Sequence, residues 1–195
     1  MVLSAITLQF AGLCWAVFII VWAVGALFTK RTVEKPRWWN WQFITPIAVI
    51  AALLLARYGG GYSYLVLIES QLWQYNIAIA VFGDILVLCG LAVALWSRKT
   101  LGGNWSGSVV FKENHELVTS GPYRYVRHPI YSGMLLMLIG TVLASASAML
   151  LFVWAVSFVT LWLKSREEEK LMARHFPSQY PAYLSRTKAL IPRIL

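Results

Sequence analysis

The sequence predicts an all-α integral membrane protein, a single domain over residues 1–195 with five transmembrane helices. The last two are expected to form a helical hairpin. A cytoplasmic loop and a C-terminal interfacial helix are expected to shape a polar site at one end. Three observations carry this. Hydrophobic residues make up 59% of the 195 positions, against roughly 45–50% in soluble domains. Charged residues are only 13%, about half the usual share, and mean hydropathy is +0.64. The charges that exist fall between long apolar runs. Together these exclude a disordered chain, a disulfide scaffold and an ordinary soluble domain.

The first run, 4–28, has no charge and is long enough to cross roughly 30 Å of hydrocarbon. It is too long for the apolar part of a signal peptide, so it is read as a retained helix. The second, 42–57, is shorter and carries Pro46 in its first turns, where proline is tolerated. The third, 72–97, contains one acid, Asp84; an ionisable group within a span is a functional hypothesis by default. Gly83, Gly90, Ala92 and Ala94 in the same run suit close helix pairing. The fourth apolar region, 130–163, is too long for one untilted crossing and divides into two helices at a tight turn, Ser145-Ala146-Ser147.

The basic residues test this division. With the N-terminus outside, Lys30, Arg31, Lys35 and Arg37 fall on the cytoplasmic side, as do Arg98, Lys99, Lys112, Arg124 and Arg127. Lys164, Arg166, Lys170, Arg174, Arg186, Lys188 and Arg193 join them. Only Arg57 of the seventeen Lys and Arg residues falls opposite, a strong positive-inside bias. The net charge of +9 therefore reads as topology and contact with anionic headgroups, with no nucleic-acid partner. Trp38, Trp39, Trp41, Tyr58, Tyr62, Tyr64, Trp73 and Trp96 stand near span ends, as interfacial belts do. Cys14 and Cys89 both sit in apolar runs, giving neither a disulfide framework nor a zinc site. Asn104-Trp105-Ser106 has the form of a glycosylation acceptor, but this topology puts it in the cytosol.

Two polar clusters share the cytoplasmic side. In the first, His115 to Gly133, a loop turns at Gly121-Pro122 and a helix starts at Pro129, where a missing N–H is harmless. Proline also pushes His128 out of the α region. His128 and Tyr131, three apart, can face one site, and the helix N-terminus suits an anionic ligand group. The second cluster, Lys164 to Glu169, ends in three successive glutamates that repel one another. If span five continues as one helix through them, they need cationic partners. Leu171, Met172, His175 and Phe176 would share one face of that helix, suited to lying in the membrane interface, before Pro177 and Pro181 break it.

The string Arg127-His128-Pro129-Ile130-Tyr131-Ser132-Gly133, followed by Glu168-Glu169, resembles the signature of the isoprenylcysteine carboxyl methyltransferase and phospholipid methyltransferase superfamily. His115-x-Leu117-Val118-Thr119-x-Gly121-Pro122-Tyr123 and the spacing of Phe176, Tyr180 and Tyr183 match as well, so that the resemblance covers 98–187. The compact five-span form looks like a prokaryotic member. The resemblance implies an S-adenosyl-L-methionine-dependent methyltransferase, leaving S-adenosyl-L-homocysteine as product, with its site at the cytoplasmic face of the cell membrane. It implies that His115, Glu116, Leu117, Val118, Tyr123, His128, Pro129, Ile130, Tyr131 and Glu168 contact the cofactor. Arg127, Lys164, Glu168 and Glu169 are the implied catalytic set. The acceptor it implies is lipophilic, an isoprenylcysteine carboxylate or a lipid head group. In the carboxyl-methylating branch an arginine facing the acceptor stands one turn before the glutamate; here that position is Lys164, a point charge rather than a bidentate fork. Pro177 replaces the glycine usual after the Phe. An amine or phenol acceptor needs a general base, and Glu169 or His128 is the candidate. Two other readings compete. A membrane reductase of the sterol-reductase kind predicts nicotinamide-nucleotide binding. A non-enzymatic membrane protein predicts no cofactor pocket and an activity indifferent to Glu168→Ala.

Overall fold

The computed structural model describes residues 2–34, 70–106, 111–113 and 116–195. Helix α1 spans Val2–Ala26, α2 Ile77–Leu101, α3 Pro129–Ser145, α4 Ala148–His175 and α5 Tyr180–Arg186. Short 3-10 turns occupy Gly102–Asn104 and Gly121–Arg124. Three of these helices, α1, α2 and α4, are long and apolar enough to cross a membrane, and α3 is a shorter apolar helix. The expected second span at 42–57, with Pro46 and Arg57, lies outside the described residues, as do Lys35, Arg37, His115 and the aromatic residues from Trp38 to Tyr64.

The third span begins later than its hydropathy indicates, at Ile77 rather than 72. The Asn76 side chain accepts from the backbone N–H of Ala78 at 2.9 Å and Ile79 at 3.3 Å, satisfying helix-end donors that have no partner within the helix. The apolar residues before it are used elsewhere. Leu72 N–H donates to the Ala146 carbonyl at 2.7 Å, and Ala148 N–H to Ser70 at 3.2 Å. These bonds pin the segment to the turn of the α3–α4 hairpin. That turn falls where the sequence placed it. Ala146 is left-handed (φ 54°), and the Ser147 hydroxyl caps α4 by accepting from Leu150 N–H at 3.3 Å.

Helices α2 and α3 cross antiparallel with their backbones nearly touching. A Cβ on Gly83 would sit 2.5 Å from the Gly140 carbonyl oxygen, and one on Gly90 2.6 Å from that of Gly133. Small residues permit this approach, so the Gly83/Gly90/Ala94 stripe is used inside the chain. Val87, Ala94 and Met137 join Ala11, Cys14 and Phe18 of α1 in one buried cluster. Trp15 Nε1 donates to Thr141 Oγ1 at 3.1 Å. Elsewhere α1 turns Leu13, Ile19 and Ile20 outward, as a lipid-facing helix does.

Helices α1 and α2 run parallel. Thr7 meets Tyr75 at one end, and Arg98 donates to the Gly25 carbonyl at 2.6 Å at the other. The loops after α1 and α2 therefore lie side by side. Strand β1 (Thr32–Glu34) pairs antiparallel with β2 (Phe111–Lys112), an addition to the all-α expectation. Every Lys and Arg among the described residues lies at or beyond this same end. Asp84 does not. It precedes Arg98 on α2 by 14 residues, roughly 21 Å along the helix, too far to support a site there.

Candidate functional site

At the charged end, α4 runs unbroken beyond its apolar part, through Lys164, the three glutamates and on to His175. This lays the acids across the N-terminus of α3, and each finds the partner that its charge requires. Glu167 takes Lys170 at 2.7 Å on the exposed side. Glu168 accepts the Tyr131 hydroxyl at 2.6 Å, and its other oxygen lies 3.3 Å from His128 Nδ1. Lys164 Nζ stands 3.9 Å from Glu168 and 5.3 Å over the Tyr131 ring. Glu169, buried, receives Arg127 Nε at 2.7 Å, with Arg166 Nη1 at 3.6 Å.

His128 is the centre of this cluster. Its ring stacks parallel to that of Tyr131, 5.4 Å between centroids. Its Nε2 is 3.4 Å from Glu169, within ion-pair reach but without a hydrogen-bond partner among the described residues. Burial pulls the imidazole pKa down, but the hydrogen bonds and negative charges of Glu168 and Glu169 outweigh it. The net direction is upward from 6.5. Burial, with Glu168 adding to it, keeps Tyr123 a neutral phenol well beyond its ordinary range.

The backbone at this point is held by the tail. Val126 pairs in parallel with Lys188. Arg127 N–H donates to the Lys188 carbonyl at 2.8 Å and His128 N–H to Ala189 at 3.0 Å. The Arg127 guanidinium also donates to the Thr187 carbonyl, and Ser132 to that of Leu190. The backbone donors just ahead of the proline helix are thus taken by the strap 187–190. The Tyr183 hydroxyl donates to the Tyr123 carbonyl at 2.7 Å, tying α5 to the loop.

Beside this cluster opens a cleft. Of the sequence-predicted residues, Glu116, Leu117, Val118, Tyr123, Arg127, His128, Ile130, Tyr131 and Glu168 line it. Pro129 is buried at the start of α3; Lys164 and Glu169 stand behind the wall and hold the residues that form it. Arg124 turns outward over the Tyr125 ring, and His115 lies outside the described residues.

Sequence reasoning missed several residues of the cleft. Asn104, Trp105 and Ser106 line it, although the sequence drew attention to them only as a glycosylation motif. A signal was there: a polar and aromatic pair directly after Gly102-Gly103, on the side that carries the His-Pro stretch. Leu171 and Met172, expected to lie in the interface, also line the cleft. Leu171 is 1% exposed, because α4 turns that face inward against the loop. Tyr180 and Tyr183 complete the wall.

A family model described as phospholipid methyltransferase matches residues 78–179, which includes α2, the loop, α3 and α4. Over 100 residues the chain is 34% identical to the cobalt-zinc-cadmium resistance protein CzcN of Cupriavidus metallidurans, covering 50% of this chain and 46% of that one. It is 29% identical over 135 residues to the protein-S-isoprenylcysteine O-methyltransferase of Saccharomyces cerevisiae, covering 65% of this chain and 55% of the yeast protein. Against protein-S-isoprenylcysteine O-methyltransferase B of Arabidopsis thaliana it is 29% identical over 121 residues, 58% and 59% of the two chains. The chain spans about half the length of the curated relatives it matches.

Proposed function

Because the chain belongs to the phospholipid methyltransferase family, we propose that it is an S-adenosylmethionine-dependent membrane methyltransferase. It acts at the cytoplasmic face on a lipophilic acceptor, an isoprenylcysteine-like carboxylate or a lipid head group. The observation that carries this is the meeting of Arg127, His128 and Tyr131 with Glu168 and Glu169 on one cleft, from stretches about 40 residues apart, at the end where the described basic residues gather.

The residues present fit the cofactor. Glu168 offers a carboxylate on the cleft wall for an ammonium group. His128 Nε2 and Asn104 Oδ1 are buried polar atoms on that wall without hydrogen-bond partners among the described residues, Nε2 lying 3.4 Å from Glu169. Leu117, Val118, Ile130, Leu171 and Met172 supply apolar surface for a nucleoside. When bound, S-adenosylmethionine supplies a methyl group on a positively charged sulfur, open to in-line displacement. The protein's part is placement and the exclusion of water. Tyr131 and His128 hold Glu168 from two sides, and Lys164 restrains it from behind. Arg127, clamped by Glu169 and by the carbonyl of Thr187, fixes the backbone from which His128 projects. His128 lines the cleft; paired with two glutamates it favours the protonated form, and only its neutral form, above the raised pKa, is able to take a proton from an amine or phenol acceptor, whereas a carboxylate acceptor needs no base. Glu169, engaged by Arg127, acts through His128 as a positioning residue.

The test is ligand binding to the detergent-purified chain. S-adenosylhomocysteine at a hundred times its Kd should stabilise the fold by about 2.7 kcal/mol, whereas a reduced nicotinamide nucleotide should not. Label from S-adenosylmethionine should appear in a lipid extract or on a farnesylcysteine analogue. Stabilisation by the nicotinamide nucleotide alone would favour the reductase reading and refute this one.

A further inference from the structure

We propose that Asn104 and Trp105 form a purine subsite in this cleft, Asn104 reading the exocyclic amine of the base; the assignment rests on the methyltransferase reading above. Asn104 is 9% exposed and lines the cleft, and its Oδ1 is buried without a hydrogen-bond partner among the described residues. Buried polar atoms are nearly always paired, so an unpaired one on a cleft wall calls for a ligand donor. Its burial also argues against the other use of this motif, since a glycosylated asparagine must be accessible.

The residue is held in place. Gly102, at φ +55°, turns the chain out of α2 into the 3-10 turn that Asn104 ends. Arg98 braces that turn from inside. Its Nη1 donates to the Gly102 carbonyl at 2.7 Å and its Nη2 to the Gly25 carbonyl at 2.6 Å. Its guanidinium lies 4.6 Å from the Trp105 ring centroid, and Trp22 meets Trp105 edge-on at 6.3 Å. The amide and the indole are therefore presented on a braced corner rather than a free loop.

A carboxamide carries an acceptor and a donor side by side. That pair matches the N6–H and N7 edge of adenine, whereas a 6-oxo purine presents two acceptors, O6 and N7, on that edge, which neither orientation of the amide pairs in full. The indole supplies a flat apolar wall for a base, indifferent to which base it is. Discrimination therefore belongs to Asn104, and base-independent affinity to Trp105.

Calorimetric titration of the full chain in detergent with S-adenosylhomocysteine and S-inosylhomocysteine tests this. The wild type should prefer the adenine compound by about tenfold to a hundredfold, and Asn104→Ala should bring the two within about threefold. Asn104→Asp, which keeps the acceptor oxygen, should retain the preference, and Trp105→Leu should weaken both ligands alike. A preference that survives in Asn104→Ala, or a wild type with none, overturns the assignment while leaving the methyltransferase reading in place. A wild type that binds neither compound overturns both.

Discussion

Replacing Glu169 by glutamine removes one charge and almost no volume from the most enclosed ion pair of the site. Arg127 and Glu169 are each 9% exposed at the side chain and 2.7 Å apart. Breaking such a pair by neutralising one partner typically costs about 3–5 kcal/mol, because the other charge stays buried. Two features reduce that here. Glutamine keeps an acceptor oxygen for Arg127 Nε, and the guanidinium retains the carbonyls of Leu184 and Thr187. Arg166, half exposed at 3.6 Å, contributes little in water. The expected loss is about 2–3 kcal/mol. It is read from reversible denaturant unfolding in mixed micelles, with intrinsic tryptophan fluorescence as the signal. Removing both charges in Arg127→Met/Glu169→Met should recover much of the loss, since no buried charge is then stranded. The cycle of Arg127→Met, Glu169→Met and the double variant should return a coupling of at least about 1 kcal/mol. A Glu169→Gln protein within about 0.5 kcal/mol of the wild type, or a double variant whose loss equals the sum of the singles, would refute the reasoning.

His128 has its pKa raised in the fold by the two glutamates. Its stabilising contribution is therefore complete below about pH 6.5 and fades as pH climbs through the raised value. The stability difference between wild type and His128→Gln should narrow from about pH 5 toward about pH 9, and a widening difference would contradict the assigned direction. Gly90→Ala would place a Cβ 2.6 Å from the Gly133 carbonyl and 2.8 Å from Met137 N. It should cost about 1–3 kcal/mol by overpacking, whereas Gly12→Ala, with nothing within 4 Å, should be neutral or gain up to about 1 kcal/mol; equal effects would remove the claim of backbone contact. Glu168→Gln should weaken S-adenosylhomocysteine at least tenfold, as the loss of a charge-assisted hydrogen bond of about 1.5–3 kcal/mol implies. Unchanged affinity in a titration would show that the ammonium group is held elsewhere.

The parts of the fold legible in the sequence are those written as local periodicity or charge. The hairpin turn at Ser145-Ala146-Ser147 is legible because an apolar run of that length exceeds one membrane crossing. The continuity of α4 is legible because no breaker intervenes before Pro177. The need of the three glutamates for cationic partners follows from the same continuity; Lys164 and Lys170 supply them from the same helix, Arg127 and His128 from the loop. What stayed hidden depends on contacts distant along the chain. Nothing near Leu72 marks it as pairing with the hairpin turn, so hydropathy starts α2 five residues early. Leu171 and Met172 have the spacing of an interfacial face, and only the packing of the loop shows that they face a cleft. Asn104 carries a motif that topology set aside as a glycosylation acceptor, and nothing in three residues marks it as buried on a cleft wall.

The site depends on the order in which these contacts are layered. The α2–α3 crossing has no room to slide, since carbonyl oxygens meet glycines at two levels, so it sets the position of the α3 N-terminus. The α3–α4 turn then determines which residues of α4 lie beside that N-terminus, and these are Lys164 to Glu169. The strap at 187–190 takes the Arg127 and His128 backbone donors, which aims the histidine back toward α4 rather than outward. Only then do the short polar contacts become possible, and they are the weakest of these constraints individually. A change in the polar contacts should therefore alter ligand binding before it alters the fold, whereas a change at the glycine crossing should do both together. Glu169 is the instructive intermediate. It touches Arg127, which is tied to the strap, and lies beside His128, which lines the cleft. Its neutralisation is accordingly expected to appear in both readouts.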